Sequence, residues 1–290
     1  MRGLVSTTDL LVRTVPIAQQ LSDALCATPN GNDDCGALHG IWPTLRLLQL
    51  GADPDRHADF FDDAIGALAP ASERVLISGC ADWGMLDTTA SIYRRRGAPL
   101  RATALDMCVT PLLLCAWYGA QVRLPVRTVC ADASVFDESA AFDVITTHSL
   151  MTYGDAAFRR QLVENWHRLL APGGAVVTVT RLGSVDQAPV EPATGEEFTR
   201  EFNSRAAAFV AAPESTIAGA QLSARVKRFA GAQISHPVGD AADVRVLFET
   251  AGFDVGHLHV RRIGDSTDGA SPVAGSARGG DYAEIVAVKR

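Results

Sequence analysis

Apolar positions change their spacing several times along this chain. Over residues 7–27, Leu10, Leu11, Val15, Ile17, Leu21 and Leu25 recur at helical intervals and predict an amphipathic helix. Residues 29–34, Pro-Asn-Gly-Asn-Asp-Asp, read as a turn or loop. Further helices are predicted over about 41–50 and 54–68, so residues 1–71 contain no convincing strand. From Ser72 short apolar runs alternate with helical stretches. Strands are predicted at 74–79, 100–106, 126–132, 142–148 and 175–180, with helices at 85–95, 111–118 and 156–170 between them. Strands alternating with helices predict a mostly parallel sheet covered on both faces. A mainly helical insertion follows at about 192–230, broken near Pro213. A helix at 241–251 stops at Gly252, and strands at 255–263 and 282–288 close the chain. Residues 264–280 between them are rich in Gly, Ser, Asp and Ala, a flexible-loop composition. No internal repeat is evident.

Composition narrows the function classes. The chain has 290 residues, 47% hydrophobic and 20% charged, the balance of a soluble globular protein with a sizeable core. A net charge of −7 with no Lys/Arg-rich block argues against a grip on a phosphate backbone. No apolar run is long enough to span a bilayer, and residues 1–14 lack a signal-peptide pattern. A cytoplasmic location is expected, with neither nucleic acid nor membrane as partner; a homodimer stays open. The six cysteines (Cys26, Cys35, Cys80, Cys108, Cys115, Cys130) form no C-x-x-C pair and no zinc-like spacing, so reduced, buried thiols and no metal are expected.

Candidate chemistry gathers at strand ends, where open parallel sheets bind ligands. Gly79-Cys80-Ala81-Asp82-Trp83-Gly84 follows the first strand and leads into a helix. Its glycine permits a tight turn, and the helix start offers free N–H groups. Asp106 ends the second strand, where a carboxylate can accept from both hydroxyls of a ribose. Asp132 follows the third; it can accept from an adenine amine while the Ala133 N–H donates to the ring. His148-Ser149-Leu150-Met151-Thr152-Tyr153 follows the fourth and faces a reaction centre.

This constellation resembles the class I S-adenosylmethionine-dependent methyltransferases over about residues 72–290. The pieces that carry the resemblance are Val75-Leu76-Ile77-Ser78-Gly79-Cys80, Ala104-Leu105-Asp106, Cys130-Ala131-Asp132-Ala133 and Phe142-Asp143-Val144-Ile145, with the turn Leu169-Leu170-Ala171-Pro172-Gly173-Gly174 and the closing Leu247-Phe248-Glu249-Thr250-Ala251-Gly252-Phe253. The resemblance implies a Rossmann-like, doubly wound, seven-stranded α/β sheet with an antiparallel last strand. To this are added an N-terminal helical lid or substrate wall (1–71) and a helical insertion after the fifth strand (181–236) within the core (72–290). It implies S-adenosylmethionine as cofactor, held by Gly79, Cys80, Ala81, Asp82, Gly84, Asp106, Met107, Asp132, Ala133 and His148. Two departures stand out: Ile77 occupies the family's usual acidic position, and Ala81 replaces its second glycine, so Asp82 is offered as the ligand of the cofactor's amino group.

The implied activity is methyl transfer to a small-molecule nucleophile. Catalytic candidates are His148 and Tyr153, and substrate-side candidates are His39, Trp42, Tyr153 and Arg181. The same glycines also form a degenerate dinucleotide fingerprint, disfavoured because Ala81 would crowd a pyrophosphate. Two further alternatives are other S-adenosylmethionine chemistry on this fold and a non-catalytic nucleoside-binding partner subunit. A nucleic-acid or protein methyltransferase ranks lower, because Thr147-His148-Ser149-Leu150 lacks an Asn/Asp-Pro-Pro-Tyr-like element. More ordinary roles compete at several positions: Asp143 as a structural acid, Trp83 as core, Trp42 as a staple between helices, Asp82 as a helix cap. His257 and His259 alternate along one half-buried strand face, and His236 has no assignment.

Overall fold

Seven strands form one sheet in the order β3-β2-β1-β4-β5-β7-β6, in a computed structural model that describes residues 6–26, 35–51, 53–183, 192–210, 219–232, 236, 238–263 and 280–290. The strands are β1 (Arg74–Ser78), β2 (Arg101–Asp106), β3 (Val126–Cys130), β4 (Phe142–His148), β5 (Leu170–Arg181), β6 (Phe253–Ile263) and β7 (Gly280–Lys289). β1 to β5 pair in parallel, whereas β7 runs antiparallel to both β5 and β6. The chain order reverses at β1, between β2 and β4. That switch point is where an open α/β sheet opens a crevice at its carboxyl edge.

The pleat explains the two cores. Val75, Ile77, Ala104, Val144, Val177 and Val179 face one way, against Leu10, Phe61, Ile65, Leu86, Tyr93 and Leu114 from the helices α1 (Thr7–Leu25), α4 (Ala58–Leu68), α5 (Gly84–Arg96) and α6 (Val109–Val122). Leu76, Leu105, Ile145, Val176 and Ile285 face the other way, against Leu162, Trp166 and Phe248 from α7 (Ala156–Leu169) and α10 (Ala241–Thr250). A third cluster joins α3 (Trp42–Leu47) and its neighbours to α8 (Pro192–Val210) and α9 (Gly219–Ala232), through Ile41, Trp42, Leu45, Phe198, Phe202 and Phe229.

Several predicted boundaries shift for identifiable reasons. A short helix, α2 (Cys35–His39), was not anticipated. α6 runs past residue 118 to Val122, where Arg123 caps it in the left-handed conformation at φ 59°. β5 begins at Leu170, opposite Phe142; the Ala-Pro-Gly-Gly segment then interrupts the register, which resumes with Ala175 opposite Val144. The turn read at 29–34, the helix break near Pro213 and residues 264–279 of the loop read at 264–280 lie outside the described residues, and Gly280 opens β7. Among the described residues no helix is long and apolar enough to cross a membrane.

Candidate functional site

β1 is followed by Gly79, whose φ of +76° lets the chain leave the strand sharply; a Cβ there would lie 2.8 Å from Leu150 Cδ1. The next N–H, of Cys80, donates to Asp106 Oδ2 at 2.7 Å, and that of Cys108 donates to Asp106 Oδ1 at 2.7 Å. Two backbone donors thus aim the carboxylate, and each oxygen keeps a further lone pair. Burial raises the Asp106 pKa, and His39 and the two N–H groups oppose that rise.

Met107, next to this acid, is 69% exposed, and Val135, in the turn after β3, is 58% exposed. Asp132 Oδ1 accepts from both the N–H and the hydroxyl of Ser134, at 2.8 Å each, and so closes the turn after β3. Asn165 of α7 fixes the same loop by donating to the Ala133 and Phe136 carbonyls.

The first turn is employed differently from the sequence expectation. Asp82 is 4% exposed. Its Oδ1 accepts from the N–H of Gly84 at 2.7 Å, at the start of α5, and its Oδ2 from Arg46 Nη1 at 2.9 Å. Both oxygens are engaged within the protein and the side chain is buried; Asp82 stands one residue before the cap of α5, Trp83, and bonds the helix's first N–H. Arg46, from α3, lies 4.7 Å over the Trp83 ring and 3.7 Å from Asp53. Gly84 is small for this reason, since a Cβ would meet Arg46 Cζ at 2.8 Å. Trp83 is core: fully buried, stacked on Tyr118 at 4.9 Å and donating to Thr14 Oγ1. Burial pushes Asp53 up to about 6 against the pull of Arg46. Buried Arg46 Nε and Thr44 Oγ1 have no hydrogen-bond partner among the described residues.

The ends of β4 and β5 carry the second half of the site. His148, Val179 and Glu284 share one row of the sheet. Glu284 accepts from His57 Nδ1 at 2.8 Å and from Arg261 Nη1 at 3.3 Å. The His57 ring lies 5.6 Å from that of His148 and 5.3 Å from Tyr282. Burial, with the nearby His57, lowers His148 to about 3, and its Nε2 has no partner among the described residues. Burial also lowers His57, while Glu284 pulls it upward. Ser149 Oγ and Thr180 Oγ1 are likewise buried without partners among the described residues. Unpaired buried polar groups cost about 1–3 kcal/mol each, and three of them gather at the ends of β4 and β5. Tyr153 keeps 44% of its surface accessible, yet crowding of its hydroxyl and the Asp106 charge push it up to about 12.

Trp42 is 7% exposed within the third cluster, a staple between helices. Arg181 sits opposite Tyr282 on the ladder. His236 donates its N–H to the Thr152 carbonyl. His257 and His259 are exposed, not half-buried, and His257 stacks on Phe60. Asp143 is structural, paired with Arg74 and accepting from the Glu73 and Arg74 N–H groups.

The thiols depart most from expectation. All six are free, but Cys130 is exposed and Cys35 and Cys108 are only partly buried. His39 is gathered with Cys26, Cys35 and Cys108 so that their ligand atoms lie within 4.8 Å of one another, where no metal-binding group was expected. Burial disfavours charge on His39, but hydrogen bonds with Cys108 and Cys26 outweigh it and raise the imidazole to about 9. His57, Glu284 and Arg46 carried no signal in the sequence; the Cys26-x8-Cys35-x3-His39 spacing was the one available hint of the cluster.

No family model and no curated relative matches the chain. Solved structures do match its fold. A protein from Pyrococcus horikoshii OT3 aligns with a TM-score of 0.50 at 12% identity, over 81% of this chain and 91% of that one. A provisionally assigned methyltransferase from Bacillus halodurans C-125 aligns with a TM-score of 0.50 at 14% identity, over 79% and 98%. A magnesium protoporphyrin IX methyltransferase from Synechocystis PCC 6803, solved with S-adenosylhomocysteine, aligns with a TM-score of 0.48 at 8% identity, over 81% and 84%.

Proposed function

We propose that this chain, whose seven-stranded sheet has the methyltransferase Rossmann-like fold, is an S-adenosylmethionine-dependent methyltransferase acting on a small molecule. The observation that carries the reading is the end of β2: an Asp106 carboxylate aimed by two backbone N–H groups and flanked by exposed Met107. An acid with lone pairs to spare beside accessible apolar surface suits a ribose joined to an adenine. The residues fit the cofactor there, with Asp106 for the ribose and Met107, Asp132, Ala133 and Val135 for the base. At the other end Thr44 Oγ1 and Arg46 Nε, both buried without a hydrogen bond among the described residues, the latter 3.7 Å from Asp53, would take its carboxylate in place of Asp82.

S-adenosylmethionine supplies a methyl group already activated by a positively charged sulfur. The chain's own work is then to align an acceptor and exclude water. His148 Nε2, Ser149 Oγ and Thr180 Oγ1 would orient the acceptor through the bonds they lack within the protein. His148, held neutral, is suited to positioning and not to holding a proton. His57 is the better proton acceptor. Glu284 binds its Nδ1, which fixes the tautomer and leaves Nε2 as a base, the relation of base to orienting carboxylate seen in catalytic triads. Tyr153 would line the acceptor's approach.

Calorimetry with S-adenosylmethionine and S-adenosylhomocysteine tests the proposal. Micromolar binding to the wild-type chain, lost in a folded Asp106→Ala variant, is expected. Absence of binding to either ligand refutes the reading.

A further inference from the structure

Cys26, Cys35, His39 and Cys108 come from three places in the fold. Cys26 is the C-terminal cap of α1. Cys35 and His39 are the first and last residues of α2, four apart and therefore on one helix face. Cys108 is the N-terminal cap of α6, two residues beyond Asp106. Nothing in the helix packing alone requires three thiols and an imidazole to converge. Their spacing is informative: Cys26 Sγ lies 3.5 Å from Cys108 Sγ and 3.6 Å from His39 Nδ1, and Cys35 Sγ lies 3.9 Å from Cys108 Sγ.

A tetrahedral zinc with Zn–S of about 2.3 Å and Zn–N of about 2.0–2.1 Å has S···S edges of about 3.8 Å and S···N edges of about 3.6 Å. The three separations fall close to those edges. A disulfide needs about 2.05 Å between sulfurs, which neither of the two sulfur pairs approaches.

We propose that Cys26, Cys35, His39 and Cys108 bind one zinc ion, which fastens the N-terminal helices to the β2–α6 turn that carries Asp106. Four protein ligands close the coordination sphere, the arrangement of a structural and not a catalytic zinc. Binding requires three thiolates and a neutral imidazole, releases to solvent the protons these four groups carry, and leaves a complex with one net negative charge. Two features offset that charge. Thr110 Oγ1 lies 3.0 Å from Cys26 Sγ and can donate to it. Cys108 sits at the positive end of the 14-residue α6. The site is distinct from the acceptor side of the sheet, and its existence does not depend on what the protein methylates.

The test is the metal content of the full-length wild-type chain, purified under reducing conditions and also after incubation with zinc followed by desalting. One zinc per chain, with three sulfur and one nitrogen neighbours by X-ray absorption, is expected. Cys26→Ser and His39→Ala should lose most of that zinc, whereas Cys130→Ser, outside the cluster, should keep it. Because the cluster variants can misfold, a second measurement uses the wild-type chain alone: stripping zinc with a chelator should lower the melting temperature, and adding zinc back should restore it. Failure to retain zinc in either preparation, zinc without sulfur neighbours, or an intact mass short of two hydrogens (a disulfide within the cluster) each overturns the proposal.

Discussion

Replacing Arg46 by methionine strips the guanidinium from the β1–α5 turn while keeping much of the side chain's bulk. Asp82, whose side chain is 2% exposed, then retains only the Gly84 N–H. Two charges about 4 Å apart at an effective dielectric constant near 20 attract by about 4 kcal/mol, and the stack over Trp83 adds about 1 kcal/mol. Relief from burying the guanidinium offsets part of this, and breaking a buried pair from one side costs about 3–5 kcal/mol net.

There is also a ceiling. A stranded carboxylate can take up a proton on folding; for an ordinary carboxyl of pKa about 3.9 that costs about 4 kcal/mol at pH 7 but only about 1.5 kcal/mol at pH 5. Arg46→Met should therefore lose about 3–4 kcal/mol at pH 7 and about 2 kcal/mol at pH 5, each relative to wild type at the same pH. Urea unfolding followed by circular dichroism at the two pH values measures both. Adding Asp82→Asn to Arg46→Met should recover stability, because the amide oxygen still accepts from Gly84 and carries no charge. A loss below about 1 kcal/mol at pH 7, or an equal loss at both pH values, would show that this pair does not lock the helices to the turn.

Three further outcomes are expected. His148 is lowered to about 3 by burial and by His57, so its contribution to stability is complete above its unfolded pKa of about 6.5 and is lost as pH falls toward 3. The loss is up to about 2 kcal/mol by pH 5, and His148→Asn should flatten that limb of the stability curve; an unchanged slope refutes the assignment. Trp166→Phe removes the 3.0 Å bond from Nε1 to the fully buried Ser78 Oγ. It should cost about 2–4 kcal/mol in urea unfolding, part of it recovered by Ser78→Ala. Gly79→Ala must place a Cβ 2.8 Å from Leu150 at a φ of +76°; a loss of about 1–2 kcal/mol should persist when Leu150→Ala removes the clash, because the backbone strain remains.

The sheet was legible because burial on both faces forces apolar runs of strand length. β4 matches its predicted span residue for residue at Phe142–His148, and Asp106 ends β2, the neighbour of the strand at which the chain order reverses. Elements without such periodicity escaped. α2 has five residues, too few for a repeating stripe. The end of α6 is set by a left-handed arginine, a residue that gives no stop signal. The pairings escaped because they are long-range: His57 lies in a turn before α4 and Glu284 in the last strand, 227 positions apart. Asp82 looked available to a ligand because its partner, Arg46, belongs to the N-terminal helices, and no local pattern joins the two. The same distance hid the cysteine cluster, whose fourth member lies 82 residues from its first.

These long-range contacts bear on how a ligand enters. Residues 1–71 were expected to act as a lid or substrate wall, yet α1 contributes Leu10, Leu11 and Ala18 to the same core as the sheet. α3 contributes a buried cation to the first turn of the fold, at 2.9 Å from Asp82. Lifting these helices would separate that ion pair, expose Trp83 and break the convergence of Cys26, Cys35 and His39 on Cys108. An opening that costs several kcal/mol leaves only a minor open population, and these contacts set its size. Accessible apolar side chains include Met107, Val135 and Tyr153 after β2, β3 and β4, and Val12 and Leu25 on α1 itself. The long-range contacts tie the N-terminal helices to the first turn and, through Cys26 and Cys108, to the segment that aims Asp106.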